Sequence, residues 1–344
     1  MRRLCLGLPI ALAGCVGGGD GDSCSPEGEK IADAHYALST LTGDADALYY
    51  LDWENTDSEG NRGVTLVMRL AKGGGEPEVM VRSEAEEAYA KNRIAVDELD
   101  VYYLDHCIPA APTCARLMRV AKRGGAAQVL VEDRIYDFAL HGDSVFYSTS
   151  DESGLQGGEP DGTIWRRPKD GGDSSEVVGG LYHLRDIDLD ADGILYFTDT
   201  AGPELGPWRL RRPDYSLVTF DLQWFAPRIA AEDDAYVYLL ADSRIVRVPT
   251  QSGEAEPASP PRENGIAAAA LFDGVLYGTD NGMWRSEGDD GPSHYECGAV
   301  LAVTGGGAAY QELAGETEEA NAIWVDDAFV YWSSYRGAVF RTPR

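Results

Sequence analysis

Two distant stretches of the chain, RIAVDELDVYYLD (93–105) and AIWVDDAFVYWSS (322–334), align without a gap. Both place apolar residues at alternate positions, then an acidic turn, a valine, an aromatic pair and a short polar step. The phrase returns more loosely as TLTGDADALYYLD, DFALHGDSVFYST, DIDLDADGILYFTD, RIAAEDDAYVYLLA and ALFDGVLYGTD, seven copies in all. Each is a period-two stretch, an Asp or Gly turn and a second period-two stretch rich in Tyr, Val and Leu, which is the pattern of an antiparallel hairpin. A second phrase follows the hairpins: LVMRLAKGGGEPEVMV, RLMRVAKRGGAAQVLV, TIWRRPKDGGDSSEVV, RIVRVPTQSGEAE and VLAVTGGGAAYQEL. There a strand ends in a Gly-rich turn and another begins, so each unit supplies four strands over about 40 to 55 residues, the size of one propeller blade.

The fourth unit has only a degenerate second phrase, WRLRRPDYSLVTFDL, and the last copy stops at AVFRTPR, one strand short. A strand from the segment around Lys30 to His35 would fill that gap and leave no free sheet edge. The expected fold is all-β: a seven-bladed β-propeller of four-stranded antiparallel blades, its ring closed by the N-terminal strand in the last blade. A β-sandwich would produce no tandem period. The phrases LYYLD, VYYLD, LYFTD and VYWSS resemble the YWTD-type and TolB-like β-propellers. That resemblance covers nearly all of the chain after its leader and implies a fold, not an activity. Those families are usually six-bladed, so with seven copies counted here no binding face carries over position by position.

The opening MRRLCLGLPIALAGC has Arg2 and Arg3, a short apolar run and then small residues. This is the layout of a secretory signal over 1–14, too short to span a bilayer. Its end, Leu12-Ala13-Gly14-Cys15, resembles the lipobox of bacterial lipoproteins, which implies that Cys15 is lipidated and becomes the mature N-terminus. Val16, in place of an aspartate, implies by the same analogy sorting to the outer membrane. VGGGDGDS follows, so residues 15–29 read as a flexible Gly and Asp tether with nothing to bury. A single propeller domain, 30–344, would hang from it, attached to the membrane by lipid alone and expected as a monomer.

The formal charge is -29. An acidic surface repels phosphate backbones, which argues against nucleic acid as a partner. Within DIDLDADGILYFTD, Asp188, Asp190, Asp192 and Gly193 have the spacing of a calcium loop. Aligned on the repeat, however, Asp190 matches Asp44, Asp97 and Asp326, so the cluster is a hairpin turn, where Asp is favoured. A calcium loop also needs a carboxylate that wraps back to the ion, and Asp199 sits in the polar end of the second strand. The expectation is therefore no cofactor and no metal, with these three aspartates as weak calcium candidates.

An exported chain meets an oxidising compartment, so disulfides are expected. Cys107 and Cys114 can bridge across the proline-bent CIPAAPTC. Cys24 and Cys297 are the arithmetic remainder, and their pairing stays open because the repeat sets Cys24 near the opposite edge from Cys297. His106-Cys107 and the HYEC stretch would make a zinc site only if two remote loops converged with reduced cysteines. No nucleophile elbow, HExxH pair or phosphate loop is present in the sequence, although propeller enzymes draw catalytic groups one from each blade.

Loops carry function when a scaffold is regular. Those between second and third strands are long in units one, two, three, four and six, and all emerge on one face. This face is taken as the recognition surface, with Trp53, His106, His294 and Tyr295 as contacts. The leading expectation is a binding or scaffolding module of the cell envelope, not an enzyme, whose partner is a protein or a small carboxylated or sugar-like ligand. The competing reading is a hydrolase or lactonase with a metal in the central channel. At the start of the innermost strands the register gives Ser39, Asn92, Tyr136, Arg185, Arg228, Asn264 and Asn321. That ring is mostly amide and arginine, with Asp137 and Asp186 one position away, whereas a metal hydrolase needs carboxylates to fix the cation and its bound water.

Overall fold

The computed structural model describes residues 24, 27–34, 40–55, 63–83, 93–106, 115–149, 160–182, 184, 186–200, 208–211, 217–219, 228–241, 243–250, 254–280, 282–286, 293–317, 320–334 and 337–344. Among these there is no helix. The chain begins with β1 (Glu29–Asp33), and the first full sheet is β2 (Leu41–Gly43), β3 (Ala47–Asn55), β4 (Gly63–Ala71) and β5 (Glu78–Arg82). The second is β6 (Ile94–Val96), β7 (Asp100–His106), β8 (Ala115–Ala121) and β9 (Gln128–Asp133), and the third β10 (Ile135–His141), β11 (Ser144–Thr149), β12 (Gly162–Pro168) and β13 (Ser175–Leu181). The fourth is β14 (Ile187–Leu189), β15 (Leu195–Thr200), β16 (Trp208–Arg211) and β17 (Leu217–Thr219). The fifth is β18 (Arg228–Glu232), β19 (Tyr236–Ala241), β20 (Arg244–Pro249) and β21 (Glu256–Pro257).

In the sixth, β22 (Ala268–Phe272) and β23 (Val275–Asp280) are separated in sequence from β26 (Gly298–Thr304) and β27 (Ala309–Thr317) by a two-stranded hairpin of β24 (Met283–Ser286) and β25 (Ser293–Glu296). The last sheet is β28 (Ala320–Val325), β29 (Phe329–Ser334) and β30 (Ala338–Pro343), and β1 pairs antiparallel with β30 as its fourth strand. Among the described residues there are thus seven sheets of four strands each, arranged as the blades of a propeller. The degenerate phrase of the fourth unit still forms two strands, β16 and β17.

Alternation explains why the second strands read as aromatic runs. In β3, Leu48 and Tyr50 point into one apolar cluster shared with Ala322, Tyr331 and Val339 of the last sheet. Ala47, Tyr49 and Leu51 point into another, shared with Ile94, Val101, Tyr103 and Val120 of the second. Successive side chains of a strand face opposite ways, so a strand sandwiched between two sheets is apolar throughout. A core of this kind lies between each pair of neighbouring sheets, from Tyr102 with Phe138 to Tyr277 with Trp332.

The N-terminal strand starts at Glu29, and the fold reaches back further still. Cys24 is bonded to Cys297, with a Cα separation of 5.8 Å. The expectation that the repeat keeps these two cysteines on opposite edges is corrected here. Glu29 pairs with Arg341 at the far end of the last sheet, but the residues before it cross back along the sixth sheet, where the Glu27 N–H donates to the Gly315 carbonyl at 3.3 Å and the Gly315 N–H to the Glu27 carboxylate at 3.1 Å. Among the described residues the fold is therefore tied from Cys24 onward.

Candidate functional site

In an antiparallel blade the first strand starts, the second ends and the third starts on one face. The long loops and the entrance to the propeller axis therefore share a face, called here the mouth face. On the axis, the residues that precede Ile94, Phe138, Ile187 and Ile229 are Arg93, Asp137, Asp186 and Arg228, in sheets two to five. Each of these reaches into the next sheet. Arg93 Nη1 donates to Asp137 Oδ2 at 3.1 Å. Asp137 Oδ2 accepts the Ile187 N–H at 2.9 Å, and Asp186 Oδ2 accepts the Ile229 N–H at 3.1 Å. Arg228 Nη2 in turn donates to the Ala267 carbonyl. The ring is laced at its centre by polar side chains, each satisfied by the following blade, as buried polar groups require.

Arg93 also lies 3.6 Å from Asp188 Oδ2. Asp188 belongs to a sheet two places round the ring, so the contact crosses the axis. Glu232, at the far end of β18, completes the group: its carboxyl is pushed up to about 8, first by burial and then by the nearby Asp188 charge, with Arg93 opposing. Burial likewise raises Asp137 to about 7 against the pull of Arg93. The same carboxylates raise Arg93 above its ordinary value although burial opposes them. One guanidinium among Asp137, Asp186, Asp188 and Glu232 leaves carboxylate in excess, and a low-dielectric site resolves that excess by holding a proton. Glu232 is the natural seat for it, because Asp137 is ion-paired with Arg93 and no cation pairs with Glu232 among the described residues.

The sequence register gives the channel Ser39, Asn92, Tyr136, Arg185, Arg228, Asn264 and Asn321. Asn92, Arg185 and Ser39 lie outside the described residues, and their successors Arg93 and Asp186 occupy the axis. Asp137, the neighbour of Tyr136, meets Arg93, so the described ring holds aspartates beside its arginines. The displacement is a matter of strand parity: a one-residue slip exchanges the two faces of a strand. Arg228 is itself one of the residues that reach into the next sheet. Asn264 sits in the turn before β22 with its Oδ1 buried and unpartnered, and Asn321 is half-buried within β28.

All four recognition residues lie on strands, not in open loops. Trp53 is in β3, whose pairing with β4 continues to Asn55 opposite Gly63. A Cβ at Gly63 would come within 2.5 Å of the Trp53 ring, so that glycine is needed where the hairpin crosses beneath the indole. His106 ends β7, while His294 and Tyr295 belong to β25, opposite Arg285 and Trp284. All remain on the mouth face. Cys15, Cys107 and Cys114 lie outside the described residues.

Beneath the mouth loops are four buried aspartates, of which the calcium-loop spacing touches only Asp199. Asp52, Asp105, Asp199 and Asp280 lie in the last few residues of the second strands of sheets one, two, four and six and are each no more than 2 % exposed. Arg116 Nη2 meets Asp105 at 2.6 Å, and Arg262 meets Asp280 through Nε at 2.9 Å and Nη2 at 2.6 Å. Asp52 accepts the Trp53 N–H at 2.8 Å, and Asp280 the Gly282 N–H at 2.9 Å. These carboxylates anchor the roots of the loops. The signal was in the repeat itself, as the aspartate closing YYLD, YFTD and YGTD.

The turn aspartates lie on the opposite face. Asp190 Oδ1 accepts the N–H groups of Asp192 and Ile194 at 3.0 and 2.8 Å, and its Oδ2 accepts the Tyr196 hydroxyl at 3.3 Å. Asp44, Asp97, Asp233 and Asp326 repeat this pattern, each with a tyrosine five residues on. Asp188, by contrast, faces the axis, so the acidic triplet is split between two places. Among the described residues no group of three or more His, Cys, Asp or Glu side chains has an arrangement that could hold a metal ion.

No family model matches the chain, and no curated protein matches it either. Solved structures do. A streptogramin B lyase is 16% identical with a TM-score of 0.57, the alignment covering 92% of this chain and 96% of that one. The extracellular domain of BT4673 from B. thetaiotaomicron is 11% identical with a TM-score of 0.58, over 92% of this chain and 39% of that one. The β-propeller domain of the Trilobed protease from Pyrococcus furiosus is 11% identical with a TM-score of 0.54, over 90% and 94%. Identities this low carry a fold and no chemistry: the chain has the β-propeller fold.

Proposed function

We propose that this chain is an exported, lipid-anchored propeller of seven blades that works as a binding module of the cell envelope and takes a small ligand on the axis. The observation that carries the reading is the convergence of Arg93, Asp137, Asp188 and Glu232 from four different sheets, beneath loops that differ in length while the strands repeat. The export and anchor rest on the leader and on Cys15. Arg93 is already neutralised by Asp137 and Asp188, so a ligand carboxylate would meet excess negative charge. Hydroxyl groups of a sugar-like ligand can instead donate to Asp188 and Glu232 and accept from Arg93. Saturation-transfer NMR against neutral sugars and their uronic acids tests this. Neutral sugars are expected to bind and to lose at least about tenfold in affinity in Asp188→Asn, the range for removing one charged hydrogen-bond partner. Preferential binding of the uronic acids, or no effect of Asp188→Asn, would overturn it.

A second reading has one observation in its favour. Glu232 holds a proton near neutral pH among other carboxylates, and unlike protonation of neighbouring carboxyls is how general acids are made. Hydrolysis of a lactone, ester or glycoside by the wild type, abolished in Glu232→Gln with ligand binding retained, would establish catalysis.

A further inference from the structure

The Cys24–Cys297 bond decides which face of the propeller the tether leaves from. Cys297 follows β25 and precedes Gly298, whose strand starts beside the end of β23, as shown by the pairing of Ala299 with Asp280. It is therefore on the mouth face, and the bond fixes Cys24 there. Without it, the ties ahead of β1 are the two hydrogen bonds of Glu27 with Gly315, and β1 itself begins at Glu29, opposite Arg341 in the half of β30 away from the mouth.

We infer that the anchored protein holds its mouth face toward the bilayer, and that the disulfide sets this orientation. The inference rests on the lipid-anchor reading of Cys15. Cys24 is nine residues from Cys15, a reach of about 30 Å at full extension. To turn the mouth away from the membrane, the tether would have to pass the edge of a blade. A six-residue strand such as β30 is about 20 Å long, which would use most of that reach. Once the disulfide is cut and the two Glu27 bonds open, the chain would leave from Glu29, fourteen residues from Cys15, and the constraint that keeps the mouth toward the lipid would be lost. The ligand of the mouth must then enter a gap no wider than about 30 Å, which suits a small soluble molecule and excludes a bulky folded partner approaching along the axis.

The test uses the lipidated protein in vesicles that carry a quencher on the lipid headgroups, with a fluorophore at one of two positions. Glu132→Cys labels the mouth end of β9, and Leu99→Cys, 75% exposed, labels the turn on the opposite face. The expected result is stronger quenching at position 132 than at position 99, and loss or reversal of that difference when Cys24→Ser and Cys297→Ser are combined. Equal quenching in the wild type, or a difference unchanged by the double substitution, would overturn the inference. Cys15→Ser is the separate control: release from the membrane supports the anchor, and continued membrane association refutes it. Oligohistidine in place of residues 15–20, on nickel-chelating vesicles, measures the orientation whatever becomes of Cys15. A symmetric result there counts against the disulfide's role alone.

Discussion

At the scale of single residues, the axis is where this chain departs most from what a stable core wants. Asp137, Asp186, Asp188 and Glu232 share one guanidinium, and burial raises the first and last to about 7 and about 8. The linkage has a definite sign. A carboxyl whose folded value lies above its unfolded one binds more protons when folded, so its contribution to stability is full at low pH and declines as pH rises toward the folded value. Glu232→Gln removes that decline. It is expected to stabilise the protein by about 1–3 kcal/mol at pH 8 and to change little at pH 5. Thermal melts of both proteins at the two pH values check this, and equal shifts at both would place the proton elsewhere. The cluster was half legible in the sequence. Asp137 and Asp186 stand one position from the ring that the sequence register gives, but which parity faces the axis depends on where each strand begins, and that is set by pairing.

At the scale of elements, the acidic turn of the repeat is a joint between blades. Asp97 caps its own hairpin through the N–H groups of Leu99 and Asp100, both at 2.9 Å, and accepts the Tyr102 hydroxyl at 3.0 Å and Lys169 of the third sheet at 2.8 Å. Lys122 reaches back to Asp44, and Lys72 to Asp326, which ties the first sheet to the last. Partial burial works against ionisation, yet the lysines and the backbone donors hold Asp44 and Asp97 down to about 2. Asp97→Ala is expected to cost about 2–4 kcal/mol because it strands several donors at once, whereas Lys169→Met should cost about 1 kcal/mol or less. In denaturant titrations the double variant should fall short of the sum, since both changes remove one shared contact. Strict additivity would mean that the lysine clamp contributes nothing. The turn, its acidic residue and its Gly-rich partner were readable from the repeat. The pairing of each lysine with the preceding blade was not, because it joins residues as far apart as 72 and 326.

At the scale of the whole molecule, closure is secured at the N-terminus. β1 supplies the missing fourth strand, and the Cys24–Cys297 bond, spanning 273 residues of sequence, fixes the segment before it. Constraining a loop of that length in the unfolded chain is worth up to about 5 kcal/mol. Dithiothreitol, or Cys24→Ser with Cys297→Ser, should therefore lower the melting temperature by several degrees without unfolding the protein at room temperature, read by near-ultraviolet circular dichroism. An unchanged melting temperature would show that β1 pairing alone holds the ring.

Sequence by itself determined the all-β class, the four-stranded unit, the position of its turns and the use of an N-terminal strand to complete the last sheet. These are legible because hydrophobic alternation and Asp or Gly turns are local, and because repetition lets weak local signals reinforce one another. Tertiary structure alone decided which parity of the innermost strands faces the axis, which lysine meets which aspartate, and that the chain before β1 crosses back to bring Cys24 beside Cys297. Those outcomes depend on strand register and on contacts between residues distant in the chain, which no short stretch of sequence encodes.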